Sequence, residues 1–304
     1  MSDPVLVGVA LDDRDSGPIA LGIGLARLAG APLALVHAYP HDPGMMPVPA
    51  YEETLREEAG AGLQRLAAAL PEQIEVTLHA YASASRSRTL HAAAESLRPL
   101  AIVVGSTHRG RVGHVLPGGV GERLLHGAPC PVAIAPHGYA AKPEPLKEIG
   151  VAFDDSPESL HALEAAIELA RATGAKVSTY TATEPIETVQ ATMAPGWSVP
   201  PGYSVARRER AEQILESAHR RVPADVLGAT KLVTGHPATA LADASVGLDL
   251  LVYGSRGYGP LRAVLLGGVS SALAHTVACP LLIVPRGDVA RPEPEPEATT
   301  ATTG

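Results

Sequence analysis

Short apolar runs alternate with longer stretches of helical spacing along most of the chain. Val5–Leu11, Leu33–Ala38, Ile74–Ala80, Ala101–Gly105 and Val132–Ala135 read as strands. Tyr51–Leu70 sets Leu55, Ala59, Leu63, Leu66 and Leu70 on one side, the spacing of an amphipathic helix. The same order returns with Glu148–Phe153, Lys176–Thr181, Lys231–Thr234, Leu250–Gly254 and Leu281–Val284. These runs are continuously apolar rather than alternating, which predicts a sheet covered on both faces. Strand–helix alternation implies right-handed crossovers and a parallel, doubly wound α/β architecture.

The pattern repeats in letters as well as in hydropathy. VGVALDD (Val7–Asp13) recurs as IGVAFDD (Ile149–Asp155), and LARLAGA (Leu25–Ala31) as LARATGA (Leu169–Ala175). VVGSTHRG returns as VYGSRGYG, and PGGVGERLLHGAPCPVAIAP as LGGVSSALAHTVACPLLIVP. A unit this long, met twice in fixed order, is a duplicated domain rather than a solenoid repeat. The expected domains are 1–138 and 147–286, joined by the Gly- and Pro-containing linker His137–Lys147. The tail 287–304 has too little apolar content to offset the cost of ordering and is expected to be disordered. Pro40–Pro49 and Glu184–Val205, the latter holding Trp197, read as long loops that are either lids or simply mobile.

Composition narrows the function. The 304 residues are 46% hydrophobic but only 3% aromatic, with one Phe and one Trp, so stacking platforms for single-stranded nucleic acid are hard to build. A net charge of −8 argues against binding DNA or RNA by phosphate neutralisation. Two cysteines, Cys130 and Cys279, make neither a disulfide framework nor a zinc site of their own. No apolar run reaches the ~18 residues of a membrane span, and the first residues lack a basic, cleavable leader, so a cytoplasmic protein without membrane contact is expected.

Ligands of open parallel sheets sit at the carboxyl ends of the strands, where strand order reverses. Two features of each copy fall there. One is the acidic pair after the first strand, Asp12–Asp13 and Asp154–Asp155, which can accept hydrogen bonds from a sugar or base, or can cap the following helix. The other is the glycine-rich turn after the fourth strand. In the second copy this turn runs Gly254, Gly257, Gly267–Gly268, with Arg256 and Arg262 in the same loop. Glycines allow close approach to an anion, and open helix-start amides supply donors; two ordinary turns are the alternative.

The Asp-terminated first strand, the G-x2-G-x9-G turn and the closing CPLLIVP strand resemble a universal stress protein domain, and the resemblance covers both copies apart from linker and tail. It implies five parallel strands per domain in flavodoxin-like layering, order 3-2-1-4-5, and ATP as ligand, accompanied by Mg²⁺. Carried over, Asp154 falls at the adenosine end, and Asp155 and Ala182 join the expected nucleotide-binding set. Gly254, Arg256 and Gly257 line the ribose and phosphates, while Gly267, Gly268, Val269 and Ser270 meet the phosphate tail. Gly268 stands where the family's ATP-binding branch has Ser or Thr, and Ser270 matches a second hydroxyl position. In the first copy the corresponding set is Asp12, Asp13, Ala38, Gly105, His108, Gly118, Gly119 and Val120, with His108 in place of the middle glycine. The second copy is therefore the expected principal site.

No G-x4-G-K-[ST] loop, G-x-G-x-x-G fingerprint or G-x-S-x-G elbow occurs in the sequence. At most slow ATP hydrolysis is expected. A non-nucleotide interaction module of the same fold, engaging an unidentified protein partner, and an enzyme of the adenine-nucleotide hydrolase-like class remain the alternatives. The last strands, VAIAP and LLIVP, are expected to pair with each other within the chain, or between chains in a homodimer, since an exposed apolar edge is a liability. His126 and His275 are expected near the end of the last helix of each copy, and Cys130 and Cys279 as buried packing residues.

Overall fold

The computed structural model describes residues 3–41, 49–106, 115, 117, 119–125, 128–139, 146–185, 189–190, 199–200, 202–255 and 272–285. The first copy runs β1 (Val5–Val9), a 3₁₀ turn (Asp13–Asp15), α1 (Ser16–Ala29), β2 (Leu33–Tyr39), α2 (Pro49–Ala68), β3 (Val76–Ala82), α3 (Arg86–Leu97), β4 (Ala101–Gly105), α4 (Gly119–Leu124) and β5 (Val132–Ala135). The second runs β6 (Glu148–Ala152), α5 (Pro157–Thr173), β7 (Lys176–Thr183), α6 (Tyr203–Arg221), β8 (Leu227–Thr234), α7 (Pro237–Ala244), β9 (Leu250–Gly254) and β10 (Leu281–Val284).

All ten strands form one sheet, ordered β3-β2-β1-β4-β5-β10-β9-β6-β7-β8. Each half thus has the expected order 3-2-1-4-5, with every pairing inside a half parallel. The halves meet where β5 and β10 pair antiparallel, Leu281 opposite Ile134 and Ile283 opposite Val132. The two closing strands therefore cover each other's apolar edges within one chain. One hydrophobic cluster beneath α1, α2, α5 and α6, and another beneath α3, α4 and α7, each draw residues from both copies, so the core runs unbroken across the seam.

The repeated LAR…GA segments have a plain structural cause. Gly30 and Gly174 both adopt left-handed backbone, φ 57° and 75°, and stop α1 and α5. Their amides, with those of Ala31 and Ala175, return to carbonyls of the last helical turn.

Three expectations are corrected. Coverage on both faces does not reach the outer strands: β3 and β8 alternate between half-buried and exposed positions, leaving Leu78, Tyr81 and Leu232 open. Strand β1 stops at Val9 rather than Leu11, whose φ of 65° belongs to a turn. Strand β8 begins at Leu227, four residues before the apolar run, where the Ser178 hydroxyl accepts from the Ala229 amide beside a bulge in β8. Trp197 and the tail 287–304 lie outside the described residues, as do 42–48 of the first loop and 140–145 of the linker.

No described helix is long and apolar enough to cross a membrane. Cys130 and Cys279 are buried, and burial pushes the Cys130 thiol up to about 12. A folded chain should therefore leave both thiols unlabelled by a disulfide reagent near pH ~8 and expose them on unfolding in urea. Rapid labelling of native protein would contradict this packing.

Candidate functional site

The first copy holds a cleft of about 290 Å³ at the carboxyl ends of its central strands. Its floor is Gly8 and Val9 of β1 and Ala10 just after it, with Val36 and Ala38 of β2 to one side and Gly105 of β4 and the following Ser106 to the other. Gly119, Val120 and Gly121 of α4 close the β4 end. Arg14, Asp15 and Pro18 border the cleft from the start of α1, and Arg86, Thr89 and Leu90 from α3 on the opposite face of the sheet. This is the point where strand order reverses, β2 lying on one side of β1 and β4 on the other.

The turn after β1 is built on a carboxylate that the sequence reading passed over. Asp15, 3% exposed, accepts from the amides of Ala10 (2.7 Å), Leu11 (2.6 Å) and Asp12 (3.1 Å). Three amides that the ending strand leaves unpaired are thereby satisfied. Asp12 caps the 3₁₀ turn by accepting from the Arg14 amide, 3.0 Å. Its two oxygens also receive Nε of Arg14, both at 2.8 Å, and its Oδ2 receives Nη2. The hydrogen bond from the Arg14 side chain holds the Asp12 carboxyl below its usual range. Asp13 is exposed on the 3₁₀ turn.

Burial pushes the Asp15 carboxyl above its ordinary value of 3.8, against the three amides that favour its charged form. From 3.8 up to that raised value the native chain holds more protons than the unfolded chain. This group therefore makes the fold less stable as pH rises through the window. Asp15→Asn should remove that slope, and at neutral pH should cost about 1–3 kcal/mol by facing an amide N–H with an amino group. Urea midpoints of both proteins across the acidic range measure both effects; an unchanged slope would assign it to another group.

The second copy is arranged differently. Asp154 is exposed, and its Oδ1 accepts from the amide (3.1 Å) and hydroxyl of Ser156, which in turn caps α5 by accepting from the Ser159 amide, 3.2 Å. Asp155, at φ 63°, accepts from Ser217 Oγ at 2.9 Å and lies 3.9 Å and 4.0 Å from Arg210 and Arg221. All three partners belong to α6, so this carboxylate ties the β6 turn to that helix. Ala182 sits in β7 opposite Val233.

Gly254 ends β9 directly against the backbone of α5: an added Cβ would overlap the Glu158 carbonyl. The equivalent Gly105 has looser surroundings, with Pro18 Cδ 3.3 Å from such a Cβ. After Gly254, Ser255 is fully buried with no hydrogen-bond partner for its hydroxyl among the described residues, whereas Ser106 in the first copy donates to the Ala135 carbonyl, 2.7 Å.

The structure therefore brings Ala38, Gly105, Gly119 and Val120 together in one cleft and sets Asp12 beside it through Arg14. Arg256, Gly257, Gly267, Gly268, Val269, Ser270, His108 and Gly118 lie outside the described residues. Arg14, Asp15 and Arg86 were not singled out from sequence; only the Asp12-x-x-Asp15 spacing, that of a capping box, signals one of them. His275 stands 3.8 Å from Glu122 of α4, across the seam, while His126 is outside the described residues. Among the described residues no group of His, Cys, Asp and Glu is placed to hold a metal ion.

Comparison with known proteins completes the picture. A model of the universal stress protein family matches residues 1–136 and 145–285. Universal stress protein Rv2005c of Mycobacterium tuberculosis is 32% identical over 183 residues, a match that covers 60% of this chain and 60% of that protein's own length. Universal stress protein Rv2319c of the same organism is 26% identical over 295 residues, 92% of this chain and 99% of the relative. The crystal structure of a universal stress protein from Archaeoglobus fulgidus shares the fold, with a TM-score of 0.63 at 17% identity over 94% of this chain and 100% of that one.

Proposed function

Because the chain belongs to the universal stress protein family, with two such domains in tandem, we propose that it binds an adenine nucleotide, ATP above all, and that occupancy alters its conformation or its choice of protein partner. The observation that carries this reading is the cleft of domain 1. Its volume of about 290 Å³ lies just under the roughly 300–1,000 Å³ typical of small-molecule sites and suits a nucleoside. The glycine side, with Gly105, Gly119 and Gly121 on either side of Val120, lines the cleft largely with main chain, which suits phosphates. In domain 2 the fuller glycine motif from Gly254 to Ser270 supports the same role, with Asp154 at the nucleoside end. Mg²⁺ would accompany the phosphates and take most of its ligands from phosphate and water.

The reading is one of binding rather than turnover. The carboxylates nearest the cleft, Asp12 and Asp15, are engaged by a guanidinium and by three amides, so neither is placed as a general base. A second reading, an interaction module without nucleotide, draws on the same Asp12–Arg14 pair, since that carboxylate does not simply await a ribose. Denaturing the purified protein and assaying the supernatant for adenine nucleotide separates the two. Wild type should release nucleotide, and Gly257→Glu and Gly119→Glu should each release less. Gly119 has nothing within 4 Å of an added Cβ, so its variant places a carboxylate by the cleft without overpacking. No release, and no shift of melting temperature with ATP, would favour the interaction module.

A further inference from the structure

We propose that the domain 1 cleft selects a nucleotide bearing a second phosphate on its ribose, in addition to the phosphate held at the glycine side. The inference rests on the nucleotide reading above and makes the ligand class of this one cleft more specific.

Two arginines border the cleft from opposite faces of the sheet: Arg14 from the turn into α1 and Arg86 from the first position of α3. Neither has a counterpart in the second copy. There Ser156 follows the acidic pair where Arg14 follows it in the first, and Pro237 opens α7 where Arg86 opens α3. The duplicated domains have thus diverged in charge at the same two places around one crevice.

The pairing around these arginines decides what the charge can do. Asp12, the carboxylate that the nucleotide reading sets toward the ribose, already has both oxygens on Arg14. A neutral hydroxyl would have to displace charge-assisted bonds, which are about twice as strong as neutral ones. A phosphate needs no such exchange. A guanidinium carries five N–H donors, more than Asp12 takes from Arg14, and Arg86 makes no hydrogen bond or ion pair among the described residues. Arg86 also lies near enough to Asp12 to help hold its carboxyl in the charged form, so the two cations share one neighbourhood. Asp15, the other carboxylate on the cleft, is consumed by main-chain amides. An anionic group lodged between Arg14 and Arg86 therefore meets one cation bonded to Asp12 and a second that feels Asp12 only at longer range and has no ion pair among the described residues.

The test is calorimetric titration of the full chain with AMP and with adenosine 3′,5′-bisphosphate, for wild type, Arg86→Gln and Arg86→Lys. In wild type the bisphosphate should bind at least about tenfold more tightly than AMP, by an increment that shrinks as salt is raised. Arg86→Gln should bring the ratio of bisphosphate to AMP affinity down to about one, whatever its effect on AMP itself, and Arg86→Lys should keep part of the increment. Arg86 is exposed at a helix start, so these variants should melt as wild type does. Equal affinity for the two ligands in wild type, or an increment that survives Arg86→Gln, would overturn the proposal and leave the nucleotide reading standing. Failure of any adenine nucleotide to bind would overturn that reading, and this one with it.

Discussion

Gly254→Ala is expected to cost about 3 kcal/mol or more of stability, whereas Gly105→Ala, at the equivalent place in the first copy, should cost less than about 1 kcal/mol. The two glycines end equivalent strands and begin equivalent turns, so the sequence gives them one role. Their surroundings differ. A methyl on Gly254 overlaps main-chain atoms of Glu158 and lies 2.8 Å from the Glu158 Cβ. The first turn of α5, fixed by its Ser156 cap, would have to lift off β9. At Gly105 the nearest atom is a proline ring carbon at 3.3 Å, which can yield by a few tenths of an ångström. Against a total stability of roughly 5–15 kcal/mol, the first loss is large. Urea midpoints of the two variants measure the contrast. Equal losses would mean that α5 does not pass over β9 as described.

Ile134→Asp should be as damaging for a different reason. Ile134 is fully buried and pairs with Leu281 across the seam, in a cluster that also holds Ile283, Tyr253 and Leu251 of the second domain. The substitution forfeits about 1.5–3 kcal/mol of apolar burial and buries a carboxyl inside a hydrophobic cluster, on the order of 4 kcal/mol or more in all. Since both clusters cross the seam, wild type should melt in one calorimetric transition and the variant in a broader or divided one at lower temperature. Val246→Asp, at a position 72% exposed, should change little. A seam variant with the wild-type profile would show that the halves fold independently.

Much of this architecture is legible in the sequence because it is carried by local, repeated signals. The apolar runs mark the strands, the glycines that stop α1 and α5 recur in the repeated segments, and the apolar closing strands announce an edge that must be covered. What the sequence hides is non-local. Asp155 reads as half of an acidic ligand pair, yet its partner Ser217 is 62 residues further on, and only the folded chain brings the basic turns of α6 to it. Arg86 lies on a helix far from the first strand in sequence, and only the folded chain brings it to the mouth of the β1 cleft. The early half of β8 escapes detection because Gly228 and Ala229 interrupt the apolar pattern where β8 carries one residue more than β7 between paired positions. Gly254 shows the opposite difficulty: the residue type suits a phosphate turn, but close packing against α5 already accounts for it.

Isothermal titration of nucleotide-free full-length chain with ATP and Mg²⁺ tests the central claim most directly. The account predicts saturable heat at submillimolar ATP, diminished by Gly119→Glu in one domain and by Gly257→Glu in the other. Absence of heat up to millimolar ATP from a chain that melts normally would contradict it.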